Sequence, residues 1–277
     1  MKRRFVQCDV FSDVALRGNG LAVVLDGDGL SDDQMQRFAI WTRQAETSFV
    51  QTSEDVSADY RLRIFSATRE MPFAGHPTLG SAAAWLHAGG VPKQAGRVMQ
   101  DCMIGLVEID LDGPVPAFVA PFTQVTPMPE AERARICAAL GIERGEVRSS
   151  VQLDNGVLRN LLELESAARV LSLDAATVSL PAFQGVSLMG AHAEGAGADF
   201  ETRNLTPASL MEEDPITGSM NAAIAVWLQR EGRLDRDIVI AQGTAMGCEG
   251  RVFVRQRDGD VMIGGQSTIV IEGVVDL

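Results

Sequence analysis

The chain repeats itself. "HPTLGSAAA" at residues 76–84 and "DPITGSMNA" at 214–222 share Pro, Gly, Ser and Ala at the same spacing, and both runs continue into a Trp-Leu pair. The two prolines, Pro77 and Pro215, stand 138 residues apart, close to half of the 277-residue chain. Upstream, "ADYRLRIF" at 58–65 matches "ADFETRNL" at 198–205; downstream, "VMQ" and "IAQ" open a second strand pair in each half. A repeat that spans strand, loop, helix and strand predicts a duplicated lobe and argues against a solenoid, whose period is shorter.

Local patterns fill in the lobes. Alternating, β-branched stretches at 5–11, 21–25, 47–51, 60–65, 105–111 and 147–153 predict short strands. A helix over 31–43 starts with a Ser-x-x-Gln capping box and the acidic residues Asp32 and Asp33, and another over 129–140 stops at Gly141. Two more, over 76–88 and 219–229, are apolar nearly all round, the mark of a helix enclosed by other elements. The predicted fold is α+β: two pseudo-symmetric lobes, each a curled, mostly antiparallel sheet, an incomplete barrel, around one central helix. Pro114, Pro116 and Pro121 set the boundary near 113–121, giving lobes of 1–115 and 116–277, with the last strand, over 268–275, open to either.

Composition removes several classes of function. With 24 basic against 37 acidic residues the formal charge is −13, which repels nucleic acid and anionic lipid, so neither partner is expected. The start, "MKRRFVQCDVFSD", alternates where a signal peptide is continuously apolar, and no run reaches the roughly 18 apolar residues of a membrane span. A cytoplasmic protein is expected. Cys8, Cys102, Cys137 and Cys248 are scattered, with no CxxC or Cys/His spacing, which reads as free thiols and no metal site. "GGQSTIVIEG" and "GDGDGL" lack the strand-to-helix setting of a nucleotide fingerprint, and no GxSxG elbow is present. No cofactor is expected.

The repeated helix starts carry the chemistry. Proline suits the first position of a helix, which makes His76 and Asp214 the cap residues and leaves the amides of 79–81 and 217–219 free at the positive end of the dipole. Gly75, Gly80 and Gly218 permit close approach by a ligand or another backbone. Two such starts related by a pseudo-twofold axis would grip a small carboxylate between the lobes. The plainer account is that His76 and Asp214 only cap helices. Glu46, in "RQAETSFVQ", follows a helix at the mouth of an apolar strand, where desolvation raises a carboxyl toward the range of a general acid or base; the plainer account is a surface loop glutamate. Asn19, in "RGNGLAVVL", reads as a tight turn or as an amide turned to the substrate.

At these residues the chain resembles the PhzF-like proteins of phenazine biosynthesis, which share the diaminopimelate epimerase fold. The resemblance runs nearly end to end, through "DVFSDVALRGNGLAVVLDGDGLSDDQMQRFA", "ETSFV", "RIFSATREMPFAGHPTLGSA", "EDPITGSMNAA" and the closing "GG" strand region. It implies a cleft between two similar lobes and a cofactor-free isomerase that moves a proton within a small amino- or hydroxy-carboxylic acid, of the trans-2,3-dihydro-3-hydroxyanthranilate isomerase type, often as a homodimer. The family's catalytic glutamate falls on Glu46, and its other cleft residues fall on His76, Asp214 and Ser219. Glycine and serine amides, at Gly75, Gly218 and Ser219, would hold the carboxylate. The epimerase relatives place a cysteine at each helix start; "AGHP" and "EDPI" hold none, which disfavours a two-thiol racemase. Two departures stand out: Gly20 replaces the usual proline of "RGNPLAV", loosening the turn at Asn19, and Met220 replaces a smaller residue and is expected near the cleft. The residues leave open a binding protein without catalysis on the same fold and an amino-acid epimerase or racemase using Glu46 and Asp214.

Overall fold

The computed structural model describes residues 1–179, 181–206 and 212–277. The chain forms two compact units, Met1–Val119 together with Gly264–Leu277, and Ala120–Ile263. Both are α+β.

The first unit opens with β1 (Lys2–Val10) and β2 (Asn19–Val24), then α1 (Asp32–Thr42), β3 (Glu46–Gln51), β4 (Tyr60–Ser66), the short β5 (Glu70–Met71), α2 (Gly75–His87), β6 (Arg97–Cys102), β7 (Gly105–Asp110) and β8 (Ala117–Val119). The second runs β9 (Gln124–Pro127), α3 (Glu130–Leu140), β10 (Val147–Asp154), β11 (Leu158–Leu164), α4 (Ala167–Leu171), β12 (Val186–Ala191), β13 (Phe200–Asn204), α5 (Gly218–Arg230), β14 (Ile238–Gln242), β15 (Gly250–Arg257) and β16 (Asp260–Gly264). The last strand, β17 (Ser267–Asp276), pairs antiparallel with β1.

The duplication is visible in strand polarity. From β1 to β2, β3, β4, β6 and β7 the pairings run antiparallel, parallel, antiparallel, parallel, antiparallel. From β10 to β11, β12, β13, β14 and β15 the same series recurs. Each parallel pair is bridged by a helix, as a parallel crossover requires: α1 and α4 at the first, α2 and α5 at the second. The repeated "AD" dipeptide has a stated task. Asp59 N donates to Met99 O and Asp59 Oδ2 accepts from Met99 N, each at 2.7 Å. Asp199 makes the same pair with Val239, at 2.7 and 2.8 Å. In both units an aspartate thus closes the mouth of the parallel pair that flanks the inner helix.

The inner helices account for the curl. α2 touches β1, β2, β3, β4 and β17, and α5 touches β10 and β15, strands near opposite ends of one ladder. A sheet can do this only by wrapping round the helix. The sequence allows it because "GHPTLGSAAAWLH" is built from small residues: nine of its thirteen positions are buried, including Gly80, whose missing Cβ would lie 2.6 Å from both Leu21 Cδ2 and Val10 Cγ2. Gly80, read as permitting approach by a ligand or another backbone, serves contact between the helix and side chains of the sheet.

The outer helices cover the other face. α1 carries the predicted capping box, with Gln34 N donating to Ser31 Oγ and Ser31 N to Gln34 Oε1, and it buries Met35, Phe38 and Ala39 against Val24, Phe49 and Phe65. α3 ends at Gly141 in the left-handed region and packs Ile136, Cys137 and Leu140 on Leu162, Leu164 and Leu188. All four cysteines are free thiols; burial pushes Cys8 up to about 12, so it is an inert core group.

Gly80→Val is expected to destabilise the protein by about 1–3 kcal/mol, because the added atoms meet a close-packed wall. Urea titration with an unchanged m-value checks this. Wild-type stability in the variant would show that the contact has slack.

Candidate functional site

The structure corrects the register of the two helix starts. The sequence aligns His76-Pro77 with Asp214-Pro215 as caps, yet the N-caps are Ala74 and Thr217, and neither caps through its side chain. Each helix opens on glycine, Gly75 or Gly218, and the residue that follows is His76 in one and Ser219 in the other. Asp214 lies ahead of its helix, in an isolated bridge with Asn204. The free amides shift accordingly. The first intrahelical bonds are Thr78 N to Ala74 O and Asn221 N to Thr217 O, both 3.1 Å, so 79–81 are already inside the ladder of α2.

In the first unit, Glu46 opens β3 opposite Ser66, just after α1 ends at Arg43 in the left-handed region. The four residues after Glu46 are buried, and Thr47 Oγ1 meets Thr42 Oγ1 at 2.8 Å, tying strand start to helix end. This leaves the carboxylate at the rim, with its side chain 20% exposed. His76 is buried, and its Nε2 lies 3.5 Å from Glu46 Oε2. That atom is buried and has no hydrogen bond among the described residues. Burial pushes the His76 imidazole down to about 3, so it is neutral at pH 7 and the contact is not an ion pair.

The other expected residues of this unit are also placed. The space left by Gly75 is filled by the Phe118 ring, 2.7 Å from where its Cβ would stand, and Phe118 packs edge-on against Phe73. Asn19 is buried at the first position of β2, paired with Val10. Gly18 permits the turn before it, since a Cβ there would strike Asp9 and the Val10 backbone. Gly20 sits in the ladder opposite Asp9, and the Gln44 carboxamide occupies the room a side chain would take.

In the second unit a directional network holds Asp214. Thr217 Oγ1 accepts from Asn204 Nδ2 at 2.9 Å and from Gln242 Nε2 at 3.2 Å, so its own proton goes to Asp214 Oδ2, 2.6 Å away. Gln242 also donates to Asp214 O, and its Oε1 accepts from Thr217 N and Asn221 Nδ2. The Asp214 carboxylate is thereby fixed as an acceptor. Gly218 is buried and Ser219 half-buried. Met220, expected near the cleft, is wholly buried.

Sequence reasoning missed Arg159. It is the second residue of β11, 4% exposed, and its guanidinium donates from Nη2 to Ser219 Oγ at 2.7 Å and from Nη1 to Asn155 Oδ1 at 2.9 Å. Asn155 Nδ2 in turn donates to Ser219 O at 2.8 Å. Burial lowers the Arg159 pKa to about 10, opposed by Asp214 and Asp154, so the group stays a cation at neutral pH. The available signal was weak: a buried-strand pattern, "LRNLLEL", whose second residue is an arginine.

Comparison with known proteins gives a consistent set of relatives. The family model for phenazine biosynthesis-like proteins, PhzC-PhzF, matches residues 8–273. The chain is 33% identical over 293 residues to the Schizosaccharomyces pombe protein named antisense-enhancing sequence 1, with 97% of each chain covered. It is 32% identical over 281 residues to trans-2,3-dihydro-3-hydroxyanthranilate isomerase of Pseudomonas aeruginosa, with 98% of each covered. A crystal structure of a Bacillus anthracis phenazine biosynthesis protein of the PhzF family matches with a TM-score of 0.85 over 100% of both chains at 20% identity, a likeness of fold. The architecture agrees with the fold that the family resemblance implies.

The buried imidazole has a pH signature. Its folded value, about 3, lies below the unfolded 6.5, so its contribution to stability is whole above pH 6.5 and is lost as pH falls toward 3. His76→Asn is expected to flatten that acid-side decline, read by urea titrations between pH 7 and 4. A His76 ring that titrates near 6.5 by NMR would contradict the assignment.

Proposed function

Because the chain belongs to the phenazine biosynthesis-like PhzC-PhzF family, we propose that it is a cofactor-independent isomerase acting on a small amino- or hydroxy-carboxylic acid. The substrate is of the type that the Pseudomonas aeruginosa relative's name states. Glu46 is the general acid and base. As a carboxylate it takes a proton from a substrate carbon, and as the resulting carboxylic acid it returns that proton to another carbon of the same molecule, so no proton or electron is gained or lost overall.

The observation that carries this reading is the Glu46–His76 contact. A rim carboxylate stands 3.5 Å from a buried, neutral imidazole nitrogen that has no hydrogen bond among the described residues. A substrate hydroxyl or amine that meets Nε2 would fill that bond and be oriented beside Glu46. To Asp214, fixed as an acceptor by Thr217, we assign the substrate's polar hydrogen; to Gly75, Gly218 and Ser219 we assign its carboxylate, and to Asn19 a supporting contact. A homodimer in the cytoplasm is the accompanying expectation, checked for assembly by light scattering on the eluting peak.

A second reading, a binding protein that turns nothing over, is kept by one finding: the Schizosaccharomyces pombe relative bears a name that states no reaction. One experiment separates the two. The protein is incubated in deuterated water with trans-2,3-dihydro-3-hydroxyanthranilate and a panel of cyclic and amino-acid carboxylates, and mass spectrometry follows deuterium at carbon. Exchange by the wild type that falls by about 10²–10⁴ in Glu46→Gln is expected. Unchanged turnover in that variant would sink the role of Glu46, and binding without exchange would favour the second reading.

A further inference from the structure

Near the start of β1 a buried guanidinium has one edge open. Arg3 is 8% exposed, and its Nη1 donates to two backbone carbonyls, Asp26 O and, at 2.8 Å, Asp28 O. Its Nε is buried without an acceptor among the described residues, and Nη2 has none there either. Nε and Nη2 form the edge of the guanidinium plane that takes a carboxylate in two parallel bonds. Arg63 gives that edge to Glu70, at 2.7 and 2.6 Å, and Arg203 gives it to Glu213, at 2.9 and 2.7 Å. A buried charged donor left without an acceptor is costly, so the open edge of Arg3 points to an acceptor from outside the chain.

There is room for one. Arg3 lines a cavity of about 480 Å³ that lies wholly within the first unit, a volume in the range of small-molecule sites. The cavity is walled by the start of β1, the end of β3, the start of β4 and the end of α2. Glu46 opens β3 and His76 is the second residue of α2, whereas Gln51 closes β3 and Trp85 lies in the last turn of α2. The cavity therefore stands at the far end of these elements from the candidate acid-base pair.

Its lining sets the chemical class. The carboxylates are already engaged: Asp26 accepts from the Arg4 guanidinium, Asp28 from Thr52 N and Oγ1, and Asp59 from the Lys93 and Met99 amides. Lys93 Nζ donates to Val56 O and Ala58 O. The unmet demand is for negative charge at Arg3, and one guanidinium edge takes one carboxylate, while three neighbouring aspartates disfavour a dianion. Leu25, Val50, Ala58 and Trp85 supply an apolar wall. Tyr60 adds to it, with its ring 5.3 Å from that of Trp85 and its hydroxyl spent on Gln100.

We propose that this cavity is a second ligand site, separate from Glu46 and His76, for a small monocarboxylic acid with an apolar or aromatic body. The carboxylate meets the open edge of Arg3, and the body lies against Trp85. The site stands whether or not the protein is an isomerase.

The test uses sodium benzoate as the probe, titrated into the full-length protein at constant ionic strength with chloride as the balancing ion, and followed by NMR. Saturable shifts are expected at the Trp85 indole N–H, at Arg3 Nε–H and at the Gly89 and Gly90 amides. Arg3→Met is expected to weaken this binding about tenfold or more, and Arg3→Lys, which keeps the charge without the planar edge, to recover part of it. Ala88→Phe keeps the arginine and fills the cavity; it is expected to weaken binding about tenfold as well, and it carries the test should Arg3→Met fail to fold. Glu46→Gln is expected to titrate like the wild type at these signals, and benzylamine, the same body with a cation, to leave them unmoved. Benzoate shifts confined to the surroundings of Glu46 and His76 overturn the inference. So do wild-type affinity in Arg3→Met or Ala88→Phe, and benzylamine binding as well as benzoate.

Discussion

Both units depend on a helix with almost no solvent face. α2 and α5 can be enclosed by a single curled sheet only because glycine, alanine and serine keep their surfaces thin, and Gly80 marks the tightest point, against Val10 and Leu21. Enclosure has an electrical consequence. The first-turn amides of a helix must find acceptors, and where the helix is buried they cannot all turn to bulk water. Whatever meets them defines the chemistry of the place.

The two helix starts place different groups there. One places a neutral histidine at its second position, beside a carboxylate at the mouth of β3. The other places a serine there, gripped by a buried arginine, with an aspartate held ahead of the helix by a threonine whose hydroxyl has one free direction. A duplicated scaffold has thus diverged into an end suited to proton transfer and an end rich in donors and positive charge. Divergence of this kind lets one duplicated fold carry different chemistry in each unit.

Much of this was legible in the sequence, and the failures have physical causes. The capping box of α1 was readable because Ser31 and Gln34 are local partners, and the matched "AD" dipeptides because each aspartate bonds to a strand laid down at the same distance in both halves. The alignment of His76 with Asp214 failed because proline is tolerated within the first turn of a helix as well as ahead of it, so Pro77 lies inside α2 while Pro215 precedes α5. Identity of residue types concealed a difference in helical position. Arg159 was invisible because its importance lies in a partner sixty residues away, and no local pattern reports that a strand arginine points inward to a serine. Gln242 escaped for the same reason: its bonds to Thr217 and Asn221 are made only after β14 has packed beside α5.

The return of β17 to β1 bears on the order in which the molecule can be assembled. The second unit is one continuous stretch of chain, Ala120–Ile263, and every strand it pairs is available once that stretch has been made. The first unit is different: its first strand waits for residues 267–276, which also contact α2, so its sheet stays open at that edge through the synthesis of everything between. Until then β1 presents a row of unpaired backbone groups, an edge that another chain can join. On the ribosome the later-made unit is therefore the first that can close, and the candidate acid-base residues Glu46 and His76 belong to the unit that is finished last.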